Sequence, residues 1–242
     1  MERKLLTNQE IRQFNEQIQI PEIGTAGQEI LKNSTVAVVG AGGTGSSALN
    51  YLAATGLGKL GIIDYGSVEE PTLHRQTIYG RNDLGKLKTI AVKNHLLEIF
   101  PWVELEISNI QLTDKNAATI LQPYNLVIDA TNVESSGLII TNTCRMLNIP
   151  VIYGSVAGFK GVVSSFNSYA PWMVKHLFEE KNQFFQPDSN QAETGAIAFT
   201  YGLIGMIMAM EAFKILINPS MSITGKLLKI DCRSYKLWID PL

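Results

Sequence analysis

The chemistry this sequence could carry begins at three glycines, two carboxylates and a lysine. Gly40, Gly42 and Gly45 stand in a G-x-G-x-x-G spacing directly after the apolar, β-branched run Val36–Val39. Between a strand and a helix, such a turn gathers unpaired backbone N–H groups and the positive end of a helix dipole at one point. That suits a phosphate group. Asp64 closes the next apolar run, Leu60–Ile63, where a carboxylate can accept from ribose hydroxyls. Lys86 and Lys88 open a later helical stretch. A positive charge in a first turn opposes the helix dipole, so an anion is a better reason for Lys88 than the helix itself. Asp129 ends the buried-looking strand Leu126–Asp129 and is followed by Ala130, Thr131 and Asn132. Strand C-termini line the ligand crevice of a doubly wound sheet, so Asp129 to Asn132 are expected to face the crevice of Gly40–Gly45. Nucleotide binding is the chemistry these residues share. For the glycines alone, a tight ligand-free turn is the alternative.

The elements that must position these groups follow from periodicity. Helical spacing is read over Asn8–Gln19, Gly27–Asn33, Ser46–Thr55, Lys86–Ile99, Thr113–Leu121, Ile139–Leu147 and Gly195–Ile217. Strands are read at Val36–Val39, Leu60–Ile63, Val103–Ile107, Leu126–Asp129, Val151–Tyr153 and Val162–Ser168, with a closing hairpin of Leu227–Asp231 and Tyr235–Ile239. The βα alternation predicts a Rossmann-like, doubly wound α/β fold whose mixed sheet ends in an antiparallel extension. Residues 65–80, longer than a usual βα link, include Thr72, His74, Arg75 and Gln76 and are expected to be functional. Residues 171–193 read as a crossover loop. One domain is expected over 1–242: N-terminal helices in 1–33, a nucleotide-binding half in 34–155, and the strands, loop and long helix in 156–242.

Composition narrows the function classes. A net charge of −2 and a pI near 6.0 give no basis for a nucleic-acid surface. The two cysteines, Cys144 and Cys232, lie outside any C-x-x-C spacing, so neither a disulfide framework nor a structural zinc of the usual pattern is expected. No apolar leader follows the opening MERKLL, and a cytoplasmic location is expected. The run 196–210 is nearly uncharged but shorter than the roughly 20 residues of a membrane span, so a buried or subunit-interface helix is expected and no membrane partner.

Several separated stretches together resemble the ThiF/MoeB/HesA family, bacterial relatives of the ubiquitin-activating enzymes. They are IPEIGTAGQEILKNSTVAVVGAGGTGSSALNYLAATGLGKLGIIDYGSV, LHRQTIY, LGKLK, VIDAT, Glu193-Thr-Gly195, GLIG and AMEAFKIL, in order over nearly the whole chain. The resemblance implies a homodimer that uses ATP and Mg2+ to adenylate a carboxylate, typically the C-terminus of a small ubiquitin-like protein. By position, Gly40, Ala41, Gly42, Gly43 and Gly45 would wrap the nucleotide and Asp64 would hold the ribose. Arg75 and Lys88 would contact phosphates and Gln76 would orient nearby groups, with Asp129 and Thr131 completing the site. Asn132 stands where the family has its magnesium carboxylate, and is carried as a catalytic and metal residue.

The departures from the family pattern are specific. Glu16 occupies the place of an arginine that reaches the other subunit's ATP, leaving that role lost or passed to Arg12 or Arg81. Gly66 and Thr72 replace an acidic residue and an asparagine, and the zinc cysteines are absent. These changes point to a divergent adenylyltransferase acting on a protein or peptide C-terminus or a small acid. A nucleotide-binding but weakened partner of an active paralogue is the second reading. A nicotinamide-dependent oxidoreductase is the third, and it leaves the LHRQ loop and Lys88 unexplained.

Overall fold

The computed structural model describes residues 4–167, 171–186 and 195–242. Two short helices open it, α1 (Asn8–Gln13) and α2 (Asn15–Ile18), where periodicity predicts one. Thr7 and Glu10 form a capping box at the start of α1. The break falls at Phe14, whose backbone leaves the helical region so that its buried ring meets Trp102 edge-on at 5.6 Å. Tertiary burial overrides local propensity here.

The remaining elements run α3 (Gly24–Lys32), β1 (Thr35–Val39), α4 (Gly43–Ala54), β2 (Lys59–Ile63), α5 (Lys88–Ile99), β3 (Glu104–Ser108), α6 (Ala117–Leu121), β4 (Leu126–Asp129), α7 (Glu134–Leu147), β5 (Val151–Ala157), β6 (Lys160–Phe166), α8 (Pro171–Phe184), α9 (Ala198–Ile217), β7 (Lys226–Asp231) and β8 (Lys236–Pro241). The eight strands form one sheet in the order β3-β2-β1-β4-β5-β6-β7-β8. β1 to β5 pair in parallel, and β5–β6, β6–β7 and β7–β8 antiparallel. The order reverses between β1 and β4, so the mixed, doubly wound architecture expected from βα alternation is present.

Strand pleating divides the core into two layers. Val36, Val38, Leu60, Ile62, Ile128 and Ile152 face the layer built by α4, α5 and α9. Ala37, Val39, Val127, Val151 and Tyr153 face α6, α7 and α8. Each fully buried aliphatic side chain contributes about 1.5–3 kcal/mol relative to exposure, so this alternation fixes strand register.

Three boundaries differ from the sequence reading in ways that matter to the site. The crossover expected at 171–193 contains α8, which buries Val174, Leu177 and Phe178 at helical spacing; residues 187–194 of that reading lie outside the described residues. α4 begins at Gly43, one turn before the expected Ser46. α5 begins at Lys88, leaving Lys86 outside it and paired with Asp83 at 3.0 Å. α9 has the length and apolarity of a membrane span, yet it packs on α4, β5 and β6. Its buried Glu211 pairs with Lys214 and accepts the Ile223 N–H at 2.9 Å.

Candidate nucleotide-binding site

The glycine turn is shaped by two backbone collisions that only glycine avoids. Gly40 has φ +95°, and a Cβ there would stand 2.8 Å from the Ala130 carbonyl oxygen. A Cβ at Gly45 would stand 1.9 Å from the Gly40 oxygen. With both present, the chain leaves β1, doubles back and enters α4 at Gly43. Gly42 is the N-cap residue, and no side chain caps the helix. The N–H groups of the first turn are therefore free of a side-chain acceptor at the cavity wall, as an anion site requires.

Asp64 at the end of β2 holds this turn. Its Oδ2 accepts the Ala41 N–H at 2.8 Å and its Oδ1 accepts the Gly66 N–H at 2.7 Å. The opposite side of Ala41 is held by the buried Tyr79, whose hydroxyl donates to the Ala41 oxygen at 2.7 Å. Ala41 and Gly45 thus support the cleft without lining it, a correction to their expected place at the nucleotide. Tyr79 escapes sequence reasoning because a tyrosine after a polar loop has no distinguishing spacing.

A cavity of about 440 Å³ opens over the turn. Gly40, Gly42, Gly43, Asp64, Arg75, Gln76, Lys88, Thr131 and Asn132 all line it, so nine residues predicted for the site meet at one cleft. Gln76 is 2% exposed, and its Oε1 has no partner among the described residues. Neither Arg75 nor Lys88 is in an ion pair among the described residues. Two cations outside any ion pair and an uncapped helix N-terminus make a site for a polyanion, while the Gln76 amide oxygen is an acceptor left for a hydroxyl or N–H donor. Ile110 and Leu112 add an apolar wall. Arg81 is not part of it: it pairs with Glu70 at 2.9 Å on the surface. Arg12 and Glu16 are exposed and do not line the cavity either.

The segment after β4 is divided. Thr131 and Asn132 line the cleft, but Asp129 does not. Its position on β4 turns it to the α7–α8 layer, where it is fully buried. Its Oδ1 accepts from Thr131 N and Oγ1 at 3.0 and 2.7 Å, and Oδ2 has no partner among the described residues. Desolvation outweighs these bonds and the attraction of Lys181, pushing the carboxyl up to about 6. Asp129 thus orders Thr131 from behind and cannot touch a ligand in the cleft.

Asn132 also differs from its expected role. It has φ 57°, a conformation asparagine tolerates better than most residues. Its Oδ1 accepts from Ser155 Oγ at 2.5 Å and Val156 N at 3.0 Å, and its Nδ2 donates to the Val156 oxygen at 3.3 Å. The amide is consumed in tying the loop to β5. Asp64, the one carboxylate lining the cleft among the described residues, has each oxygen occupied by a backbone N–H. Asn132 is thus not available as a Mg2+ ligand, and no group of three or more His, Cys, Asp or Glu side chains is placed for a metal among the described residues. Cys144 is buried, its thiol pushed up to about 12 by desolvation and the nearby Asp129, which leaves it inert.

Residues 14–240 match the ThiF family model, and the chain belongs to that family. It is 36% identical over 221 residues to the "Probable molybdopterin-synthase adenylyltransferase" of Porphyra purpurea, covering 91% of this chain and 58% of the relative. It is 32% identical over 231 residues to the sulfur carrier protein adenylyltransferase of Thermus thermophilus, covering 93% and 84%. The chain spans 58% and 51% of the first relatives it matches, from Porphyra purpurea and Anopheles gambiae. Among solved structures, PaaA superposes with a TM-score of 0.81 at 20% identity, covering all of this chain and 76% of the other. MccB of E. coli solved with ATP gives 0.70 at 20% identity, covering 88% and 65%. At that identity the two structures show the same fold.

Proposed function

We propose that this chain binds ATP and adenylates a carboxylate, with release of pyrophosphate. The observation that carries the reading is the convergence of the uncapped α4 N-terminus, Arg75 and Lys88 on one cleft, with no carboxylate paired to either cation among the described residues. In the reaction a carboxylate oxygen attacks the α-phosphorus. The bond to the bridging oxygen breaks, and pyrophosphate leaves with that electron pair. The carboxylate is a weak nucleophile, so orientation in line with the leaving group is the main requirement. Charge accumulates on the departing oxygens, and preorganised donors lower that cost. The α4 amides, Arg75 and Lys88 supply such donors, and Asp64 keeps the turn in place behind them.

The relatives are named for activating a sulfur carrier or molybdopterin synthase, and the MccB structures include complexes with MccA. By extension, the acyl group here is the C-terminus of a small ubiquitin-like protein or peptide. The protein acts as a homodimer in the cytoplasm, with α9 near the interface. Phe199 at 82% exposure and Met210 at 49% leave apolar surface on that helix, which supports pairing. A nucleotide-binding partner with weakened catalysis is the second reading, favoured by the occupied amide of Asn132.

Calorimetric titration with ATP and Mg2+, with NAD+ in parallel, tests the first step. Micromolar ATP binding, lost in Arg75→Ala with the fold intact, is expected. Pyrophosphate exchange dependent on an added peptide carboxylate then separates the enzyme from the partner protein. Binding of NAD+ alone overturns both readings.

A further inference from the structure

The Arg75 guanidinium lies over the ring of Tyr201, its carbon 5.1 Å from the ring centroid. Tyr201 sits one turn into α9 and lines the cleft with Arg75, Gly42, Gly43 and Gln76. The ring also rests against the start of α4: a Cβ at Gly43 would stand 2.5 Å from Tyr201 Cδ1. Gly43 is thus required by the ring, whereas Gly40 and Gly45 are required by the turn.

The way an arginine is held decides what it can still bind. A carboxylate partner takes up the guanidinium fork and neutralises its charge. An aromatic face contacts the plane of the group and leaves the N–H edge pointing outward. The Arg75 guanidinium carbon stands 5.1 Å from the Tyr201 ring centroid, and no carboxylate takes its fork among the described residues. Among the described residues no side chain hydrogen-bonds to or pairs with its guanidinium.

We infer that Tyr201 is a positioning residue: its ring holds Arg75 beside the α4 N-terminus with its donor edge free for a phosphate of the bound nucleotide. The ring is the working part, and the hydroxyl is dispensable. This rests on the ATP reading above. It adds a residue from α9 to a site otherwise built from α4 and the loops after β2 and β4.

The test is calorimetry with ATP and with adenosine, which lacks the anion. Wild type is compared with Arg75→Ala, Tyr201→Phe, Tyr201→Leu and the double variant Tyr201→Leu/Arg75→Ala, with thermal midpoints alongside. Tyr201→Leu is expected to weaken ATP binding about five- to tenfold while adenosine binding holds. Tyr201→Phe stays within about twofold of wild type, since the ring–cation contact is kept. The double variant binds ATP no more weakly than Arg75→Ala, because Tyr201 acts through the arginine. Should Tyr201→Leu fail to fold, Tyr201→Met keeps an unbranched apolar side chain without an aromatic face, and weaker ATP binding without loss of adenosine binding is again expected.

The proposal is overturned if Tyr201→Leu binds ATP like wild type while Arg75→Ala does not. It is also overturned if ATP and adenosine weaken together, or if Tyr201→Phe is as impaired as Tyr201→Leu. Failure of wild type to bind ATP overturns the nucleotide reading itself, before any variant is compared.

Discussion

Asp64 Oδ2 accepts the N–H of Ala41 at 2.8 Å, joining the end of β2 to the turn that leaves β1. The same carboxylate accepts the Gly66 N–H, so one side chain orders the floor of the cleft and the loop after it. Asp64→Ala strands both donors. A stability loss of about 1–3 kcal/mol is expected, since unpaired backbone groups bear their desolvation cost. ATP affinity should fall at least about tenfold if the turn must stay shaped to receive a phosphate. Urea unfolding and calorimetry measure the two effects. If neither moves, the turn is held by its glycines alone.

Tyr79 predicts a gentler version of the same effect. Its hydroxyl donates to the Ala41 oxygen from a buried position, and burial pushes the phenol far above its ordinary range. It therefore remains a donor at every physiological pH. Tyr79→Phe should cost about 1–2 kcal/mol by leaving the Ala41 oxygen unpaired. The cost should be flat between about pH 6 and about pH 9, because no titration accompanies it. A pH-dependent difference in chemical-denaturation midpoint would point to some other group.

The legible part of this site is the part where backbone geometry dictates residue type. Gly40 and Gly45 must lack a Cβ, and that requirement is visible as a spacing. The family resemblance then places Arg75, Gln76 and Lys88, which do meet at the cleft. Asp129 ends its strand at the crevice, yet the pleat of β4, not the strand end, decides which face it takes. Its register partner is Tyr153, and both face α7 and α8, while Ile128 faces the other layer. Alternation along β4 puts Asp129 on the face opposite Ile128. The helical spacing of Val174, Leu177, Phe178 and Lys181 in α8 is hidden in the sequence because the fourth buried position is a lysine. Lys181 is held there by its bond to Glu134 at 3.1 Å, a contact between distant segments that periodicity cannot reveal. Tyr201 carried no sequence signal, since its neighbours Arg75 and Gly43 come from other elements.

Asn132 tests whether this position serves a metal or a loop. Replacing it with aspartate keeps an acceptor for Ser155 and Val156 N, but sets a carboxylate oxygen where Nδ2 now donates to the Val156 carbonyl. Asn132→Asp should therefore destabilise the fold by about 1–2 kcal/mol. The Mg2+ dependence of ATP binding should stay unchanged, because the amide is already committed to β5. Thermal unfolding and Mg2+ titration at fixed ATP give the two readouts. Tighter Mg2+ coupling in the variant would return Asn132 to the metal role that the resemblance implies.

Asp129 gives the pH-dependent prediction. Desolvation raises its carboxyl from 3.8 to about 6 in the folded chain, against the lowering effects of Thr131 and Lys181. Between those values the native state keeps a proton that the unfolded chain has released. Stability from this group is therefore fully present below the unfolded value, falls as pH rises through about 4 to about 6, and is level above. Two pH units correspond to about 3 kcal/mol at most, as an order of magnitude. Asp129→Asn removes the titration while its Oδ1 can still accept from Thr131. The variant should gain on wild type by about 1–3 kcal/mol between about pH 4 and about pH 7.5, measured by urea unfolding at each pH. A constant difference across that range would mean that the buried carboxyl is not the titrating group. The cleft is expected to tolerate the change, since Asp129 reaches it only through Thr131.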